Sequence, residues 1–285
     1  MNQPAIQRVG ILTNVRKLHA DEVRRQIVAW LTKRHVTVFD VLVTPLEQAL
    51  SEAELFICLG GDGTILHLAG KMVDRAVPVL GINLGGLGFL TEVRREELQS
   101  ELELIFNGHY DIEERMLLDA QVSSAAGTAG SEKKARRFQA LNDVVIHREG
   151  LTRYMGIQVD IGGACATRFS GDGVVIATPT GSTAYSLSAG GPIMHPSVDC
   201  MVITPICAHT SALRPLVVAG NEVIQIRIAS GEPVSRALCT ADGQIDMEID
   251  SDSIVRVTRA RNRFRLVKSS KRNYFETLKA KFKLP

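Results

Sequence analysis

Leu55-Phe56-Ile57-Cys58-Leu59-Gly60-Gly61-Asp62-Gly63-Thr64-Ile65-Leu66 carries a short, unbroken apolar run into three glycines around one carboxylate, and from there into a helical pattern. Five apolar residues bounded by glycine read as a buried strand. Thr64-Ile65-Leu66-His67-Leu68-Ala69 then begins a helix. Strand, tight turn and helix in direct succession are the unit of an open parallel sheet, whose ligands bind beyond the carboxyl ends of its strands.

The same alternation continues on both sides. Residues 9–13 read as a strand, a helix from about residue 21 carries Val23, Ile27, Trp30 and Leu31 on one stripe, and 36–43 returns as an extended run. A fourth strand is expected at 78–82, and a helix over about 94–106 stops at Asn107-Gly108. From Tyr110 the pattern changes to short, alternating β segments at 117–122, 141–147, 155–161, 173–177, 201–204, 223–228 and 254–257. The reading is an α/β N-terminal domain with a mainly parallel sheet over residues 1–109, then an all-β-rich C-terminal domain over 110–267. A C-terminal helix within 268–285 is expected to pack back on the first domain. Small and charged residues over 123–134 read as a flexible hairpin tip.

Composition bounds the class. The 285 residues are 45% hydrophobic and 22% charged, which excludes a wholly disordered chain. A formal net charge of +2 is not that of a nucleic-acid binder, and the basic runs at Lys133-Lys134 and 259–272 read as solvated faces. Cys58, Cys165, Cys200, Cys207 and Cys239 are widely spaced with no Cys-x-x-Cys pair, the usage of reduced thiols in a cytoplasm. The N-terminus has no signal pattern, and the longest apolar passage, 76–90, is broken by Pro78, Asn83 and several glycines, so no membrane span is expected.

Glycines around Asp62 let the backbone take positive φ and approach a ligand closely, while the following helix offers free amides to phosphate. Asp62 itself would repel phosphate unless it serves a separate chemical purpose, either accepting a proton from a hydroxyl or holding Mg²⁺ through water. The plain alternative is a tight turn that Asp62 caps locally. Gly-x4-Gly-Lys-Ser/Thr and strand-linked Gly-x-Gly-x-x-Gly loops are both lacking.

Three further segments carry polar chemistry. Thr178-Pro179-Thr180-Gly181-Ser182-Thr183-Ala184-Tyr185-Ser186-Leu187-Ser188 follows an apolar strand with dense hydroxyls and one ring that can stack on a base. Ser188 with Ala189-Gly190 approaches a hydrolase elbow, but Ser186 stands where glycine is required. Asn142-Asp143 opens another apolar strand, and can serve an adenine edge and ribose hydroxyls or simply form a turn. His209 and Arg214 are candidate phosphate partners on a loop.

Taken together, Gly60-Gly61-Asp62-Gly63-Thr64, Leu141-Asn142-Asp143-Val144-Val145, Asp172-Gly173 with 178–186, and Ile203-Thr204-Pro205-Ile206 with Arg214-Pro215-Leu216 resemble the NAD kinase family, bacterial type, in order and spacing over about residues 9–275. The resemblance implies transfer of the γ-phosphoryl of ATP to the 2′-hydroxyl of the adenosine ribose of NAD, giving NADP and ADP. It also implies Mg²⁺ or another divalent cation as cofactor and a homodimer or homotetramer; no residue is named as a metal ligand. Asp62 resembles the proton acceptor. Asp62-Gly63, Asn142-Asp143 and Thr183, Ala184, Tyr185, Ser186, Leu187 and Ser188 resemble dinucleotide contacts, with His67, Arg153, Asp172, Thr180 and Gln244 at further contact positions. Gly60, Gly61, Gly63, Thr64 and His209 are the candidates for the phosphate donor. His67 stands where many relatives carry arginine, Ser170-Gly171 occupies a variable stretch, and the 123–134 tip is longer than usual. A lipid kinase of the diacylglycerol or sphingosine type shares the glycine loop but needs an apolar groove. A non-catalytic nucleotide sensor would be expected to lose Asp62.

Overall fold

Strands Arg8–Thr13, Leu55–Gly60 and Val79–Asn83 lie side by side and parallel, with Ile57 facing both Ile11 and Leu80 in register. A computed structural model supplies the coordinates, describing residues 5–86, 88–124, 136–150, 154–210, 212–229, 237–269 and 273–283. Arg153 and most of the expected 123–134 tip lie outside these. The chain forms two compact units, one of residues 1–114 with 264–285 and one of residues 115–263.

In the first unit the sheet runs Thr37–Asp40, Arg8–Thr13, Leu55–Gly60, Val79–Asn83, Phe264–Lys268, Asp111–Arg115, with Val93–Arg94 also on Val79–Asn83. All six residues of Leu55–Gly60 are buried, which is why that strand reads as continuous apolar sequence rather than alternation. Helix Ala20–Thr32 buries Val23, Ile27 and Leu31 against the sheet. Trp30, on the same expected stripe, instead meets Phe106 edge-on at 5.2 Å and carries the Arg34 guanidinium over its face at 3.6 Å. The extended run expected over 36–43 is a strand only at Thr37–Asp40, because Asp40 turns the chain by accepting from the Leu42 amide at 3.1 Å. The short helix Leu46–Glu52 behind Pro45 has no counterpart in the sequence reading.

Two corrections concern chain allotment. The unit boundary falls after Glu114 rather than at 109/110. Phe264–Lys268, expected in the second domain, is a strand of the first sheet, with Leu266 parallel to Val79 and its Leu266 and Val267 side chains fully buried. Lys268 fixes that return through Glu92 at 2.5 Å and Glu113 at 3.3 Å. Helix Tyr274–Phe282 follows, and Tyr274 and Phe282 each stand about 6 Å from the Phe89 ring.

The second unit is two six-stranded sheets. One runs Ala164–Gly171, Met155–Ile161, Ile224–Ile228, Ser253–Arg259, Leu118–Ser124, Arg136–Ala140, and its strand pairs are antiparallel. The other runs Leu216–Ala219, Cys200–Ile206, Gly173–Ala177, Asp143–Arg148, Ala237–Ala241, Ile245–Ile249, likewise antiparallel. Val144, Ile146, Val174 and Ile176 from the second sheet share one buried cluster with Ile157, Val159, Ile226 and Val255 from the first. Because side chains alternate along a strand, Val145 and Val175 face away from that cluster and belong to a separate one with Met194 and Val202.

Candidate functional site

On the face of the second sheet turned away from the main core, Val145, His147 and Thr240 form the floor of a cavity of about 630 Å³. Asn142, Asp143, Asp172, Ala184 and Tyr185 stand around it. These five residues come from three separate stretches of sequence.

Asn142 and Asp143 enter at the start of strand Asp143–Arg148. Among the described residues neither side chain is tied to a protein partner. The Asp143 carboxyl is buried, and burial, then the nearby Asp242 charge, push its pKa up to about 7. A carboxyl titrating near neutrality accepts a hydrogen bond when ionised and donates one when protonated, which suits a diol such as ribose. Asp172 is the opposite case. Arg148 Nε donates to its Oδ1 at 2.8 Å and holds its carboxyl below the usual range.

The hydroxyl-rich segment divides by function. Thr180 is buried and its Oγ1 accepts from the fully buried Arg115 at 3.2 Å, Thr183 Oγ1 donates to the Thr180 carbonyl, and Ser186 shares a 2.9 Å hydrogen bond with Thr204. Those hydroxyls build the loop. Ala184 and Tyr185 reach the cavity, and Tyr185 is 45% exposed, with its ring free to stack. Leu187 and Ser188 complete the short helix Tyr185–Ser188 and do not line the cavity. Gln244 is exposed beside the cavity residue Gly243, its amide closing the turn onto Ala241 at 2.8 Å. His209, a candidate donor contact, stands in this second unit with its ring edge-on to Tyr154 at 5.1 Å.

The glycine loop belongs to the first unit, and its geometry differs from the expectation in two ways. None of Gly60, Gly61 and Gly63 has positive φ, and Gly61 is extended at φ −139°. What Gly60 supplies is close approach, since a Cβ there would meet Thr64 Oγ1 at 2.2 Å. Around Gly61 and Gly63 the space within 4 Å of such an atom is empty. The backbone there is bare to a ligand, at the start of a ten-residue helix whose first amides have no intrahelical acceptor.

Nor does Asp62 cap its own turn. Its carboxylate reaches across to residues 89–91: Oδ2 accepts from the Phe89 amide at 2.8 Å, and Oδ1 from the Leu90 and Thr91 amides at 3.1 and 3.2 Å and from Thr91 Oγ1 at 3.3 Å. A carboxylate oxygen has about two lone-pair directions, so one on Oδ2 stays open. His67 is exposed further along the same helix. Among the described residues no three His, Cys, Asp or Glu side chains are grouped as a metal site.

Models of the ATP-NAD kinase N-terminal and C-terminal domains match residues 40–110 and 141–269. The NAD kinase of Syntrophotalea carbinolica is 40% identical over 97% of this chain and 98% of its own. The chain belongs to the NAD kinase family. Among solved structures, an NAD kinase from Archaeoglobus fulgidus in complex with ATP aligns at a TM-score of 0.76 with 25% identity, covering 97% of this chain and 98% of that one. Yeast NADH kinase complexed with NADH aligns at 0.90 and 24% identity over 99% and 89%, a likeness of fold. Family membership over both units removes the lipid-kinase reading.

Residues that the sequence motifs overlooked include His147, Arg148, Thr240 and Asp242, all lining the cavity. The signal for Asp242 was present. Asp242-Gly243 between two short apolar runs is a hairpin turn, and both residues have the positive φ, 51° and 62°, that a type I′ turn demands.

Proposed function

We propose that this protein catalyses ATP-dependent phosphorylation of NAD to NADP, the γ-phosphoryl passing to the 2′-hydroxyl of the adenosine ribose, with Asp62 accepting the hydroxyl proton. The observation that carries the reading is the meeting of Asn142, Asp143, Asp172, Ala184 and Tyr185 on one cavity, in a chain of the NAD kinase family. Phosphoryl transfer asks little covalent chemistry of a protein; it asks for an aligned hydroxyl and for charge stabilisation. Asn142 and Asp143 orient the dinucleotide, and Tyr185 offers a ring for stacking. Asp62, held by four donors on residues 89–91, keeps one Oδ2 direction open with which to accept the hydroxyl proton. The bare amides around Gly61 and Gly63 face donor phosphate, with Gly60, Thr64 and His209 as the remaining donor contacts. His67, Thr180, Thr183, Ser186, Leu187, Ser188 and Gln244 complete the proposed dinucleotide set.

We assign Mg²⁺ or another divalent cation as cofactor. Magnesium takes one or two carboxylates together with substrate phosphates and water, so a cation on the donor phosphates would meet Asp62 through water, leaving its open Oδ2 direction to the hydroxyl. Bound there with ATP, the cation supplies neutralisation of phosphate charge. We further propose assembly as a homodimer or homotetramer and a cytoplasmic location, supported by five unpaired thiols. No described helix is long and apolar enough to cross a membrane.

The test is a coupled assay in which purified protein, Mg²⁺, NAD and ATP yield NADP, read by an NADP-specific dehydrogenase, with NADH, polyphosphate and diacylglycerol as alternative partners. Asp62→Asn is expected to lower turnover by about 10² or more while NAD still binds. No NADP with any donor would overturn the activity. Turnover above about a tenth of wild type in Asp62→Asn would overturn the base.

A further inference from the structure

The side chains of Asn142 and Asp143 are not fixed by partners of their own, so their aim depends on how the backbone of residues 141–143 is held. That backbone is held by two residues, Asp242 and Thr178, neither of which is among the proposed dinucleotide contacts. The Asp242 carboxylate accepts from all three successive amides: Leu141 to Oδ2 at 2.8 Å, Asn142 and Asp143 to Oδ1 at 2.7 and 3.0 Å. The Asp242 amide returns a bond to the Asp143 carbonyl at 3.0 Å. From the other side Thr178 Oγ1 donates to the Leu141 carbonyl at 2.6 Å, and the Thr178 amide donates to the Asn142 carbonyl at 2.9 Å. Every backbone donor and acceptor of the three residues is thereby engaged.

We infer that Asp242, at the tip of the hairpin between strands Ala237–Ala241 and Ile245–Ile249, is the positioning residue of the dinucleotide site, its carboxylate gathering the 141–143 amides so that Asn142 and Asp143 meet the cavity in one orientation. The inference rests on the NAD-binding reading of that cavity. Three amides converging on one point form a concavity for an anion, and an ionised acceptor binds them more strongly than a neutral one. Burial pushes the Asp242 carboxyl up to about 6 while the three amides pull it back, so the clamp is charged at neutral pH and above. Its charge also acts on Asp143 from behind, so one carboxylate sets both the place of the pocket carboxyl and the ease with which it ionises.

The experiment uses the full chain with Asp242→Asn, and Thr178→Val as an independent cut at the opposite side. Asn-Gly forms the same type of turn as Asp-Gly, so Asp242→Asn keeps the hairpin while replacing one acceptor oxygen with a donor that faces amides. The expected result is a rise of about tenfold or more in KM for NAD, with KM for ATP and kcat at saturating NAD within about twofold of wild type. Calorimetric titration with NAD should show the same weakening, and it reads the clamp whether or not phosphoryl transfer is observed. An NAD affinity within about twofold of wild type in Asp242→Asn overturns the inference. So does an equal rise in both KM values accompanied by a lowered Tm, the mark of a general structural role. A wild-type protein that binds NAD but forms no NADP overturns the proposed activity and leaves the clamp to be judged on affinity alone.

Discussion

Asp62 and Asp143 are both partly or wholly withdrawn from water, yet they are built for different work. Asp62 is surrounded by donors that hold it in place; Asp143 has no donor to its carboxyl among the described residues and waits for a ligand to supply one. That difference gives a pH prediction with a definite sign. The pKa values of Asp143 and Asp242 are raised in the folded chain, to about 7 and about 6, so the folded state binds more protons than the unfolded state from about pH 4 to about pH 7. Stability from these two groups therefore falls as pH rises through that window. Asp143→Asn removes the larger shift, and its Tm in the absence of NAD should exceed wild type at about pH 8 and converge toward it at about pH 5. Scanning calorimetry of the two proteins at both values checks this; a difference that grows toward acid pH refutes it.

Between single residues and the whole unit lie the loops that strands deliver. Strand Gly173–Ala177 feeds Thr178-Pro179-Thr180-Gly181, and this loop closes directly on the 141–143 turn. A Cβ at Gly181 would meet the Asn142 carbonyl oxygen at 2.1 Å and its carbonyl carbon at 2.4 Å, both backbone atoms that cannot swing aside. Gly181→Ala is therefore expected to push the Asn142-Asp143 turn from its place, weakening NAD binding by about tenfold or more while the thermal transition stays cooperative. Gly61→Ala is the contrast, because its added methyl meets nothing within 4 Å. It should leave Tm within a few degrees of wild type and act on KM for ATP, by intruding on the space proposed for donor phosphate. Thermal melts beside both KM values separate the two substitutions, and a Gly181→Ala enzyme with unchanged KM for NAD would contradict the geometry.

For the molecule as a whole, the second unit is one continuous stretch while the first is assembled from both ends of the chain. Strand Phe264–Lys268 lies between Val79–Asn83 and Asp111–Arg115 in the first sheet, with Leu266 and Val267 fully buried. A fragment of residues 1–114 lacks that interior strand and leaves Glu92, itself buried, without Lys268. It should be unfolded or aggregated, because an open sheet interior exposes unpaired backbone and apolar surface. Residues 115–263 alone should fold, with a cooperative melt, and retain measurable NAD binding. Circular dichroism and calorimetry on the two fragments decide the matter, and a cooperatively folded 1–114 fragment would sink the argument.

Much was legible along the chain. The parallel first sheet, the turn to β structure near residue 110 and the motif residues of the cavity were all readable, because buried strands announce themselves as apolar runs and the site motifs are local and closely spaced. The strands that escaped notice include all four sheet edges of the second unit, Arg136–Ala140, Ala164–Gly171, Leu216–Ala219 and Ile245–Ile249. Arg136–Ala140 and Ala164–Gly171 carry polar and exposed side chains without a clean alternation, whereas Leu216–Ala219 and Ile245–Ile249 are only four and five residues long, too short for their apolar content to mark them as strands. Folding alone settled what depends on distant partners. Asp62 finds its donors 27 to 29 residues away, Asp242 clamps amides about a hundred residues before it, and Phe264–Lys268 crosses back to the first sheet. No periodicity records such pairings. A hydrogen bond depends on distance in space, and sequence separation carries that information only within a turn, a helix or a hairpin.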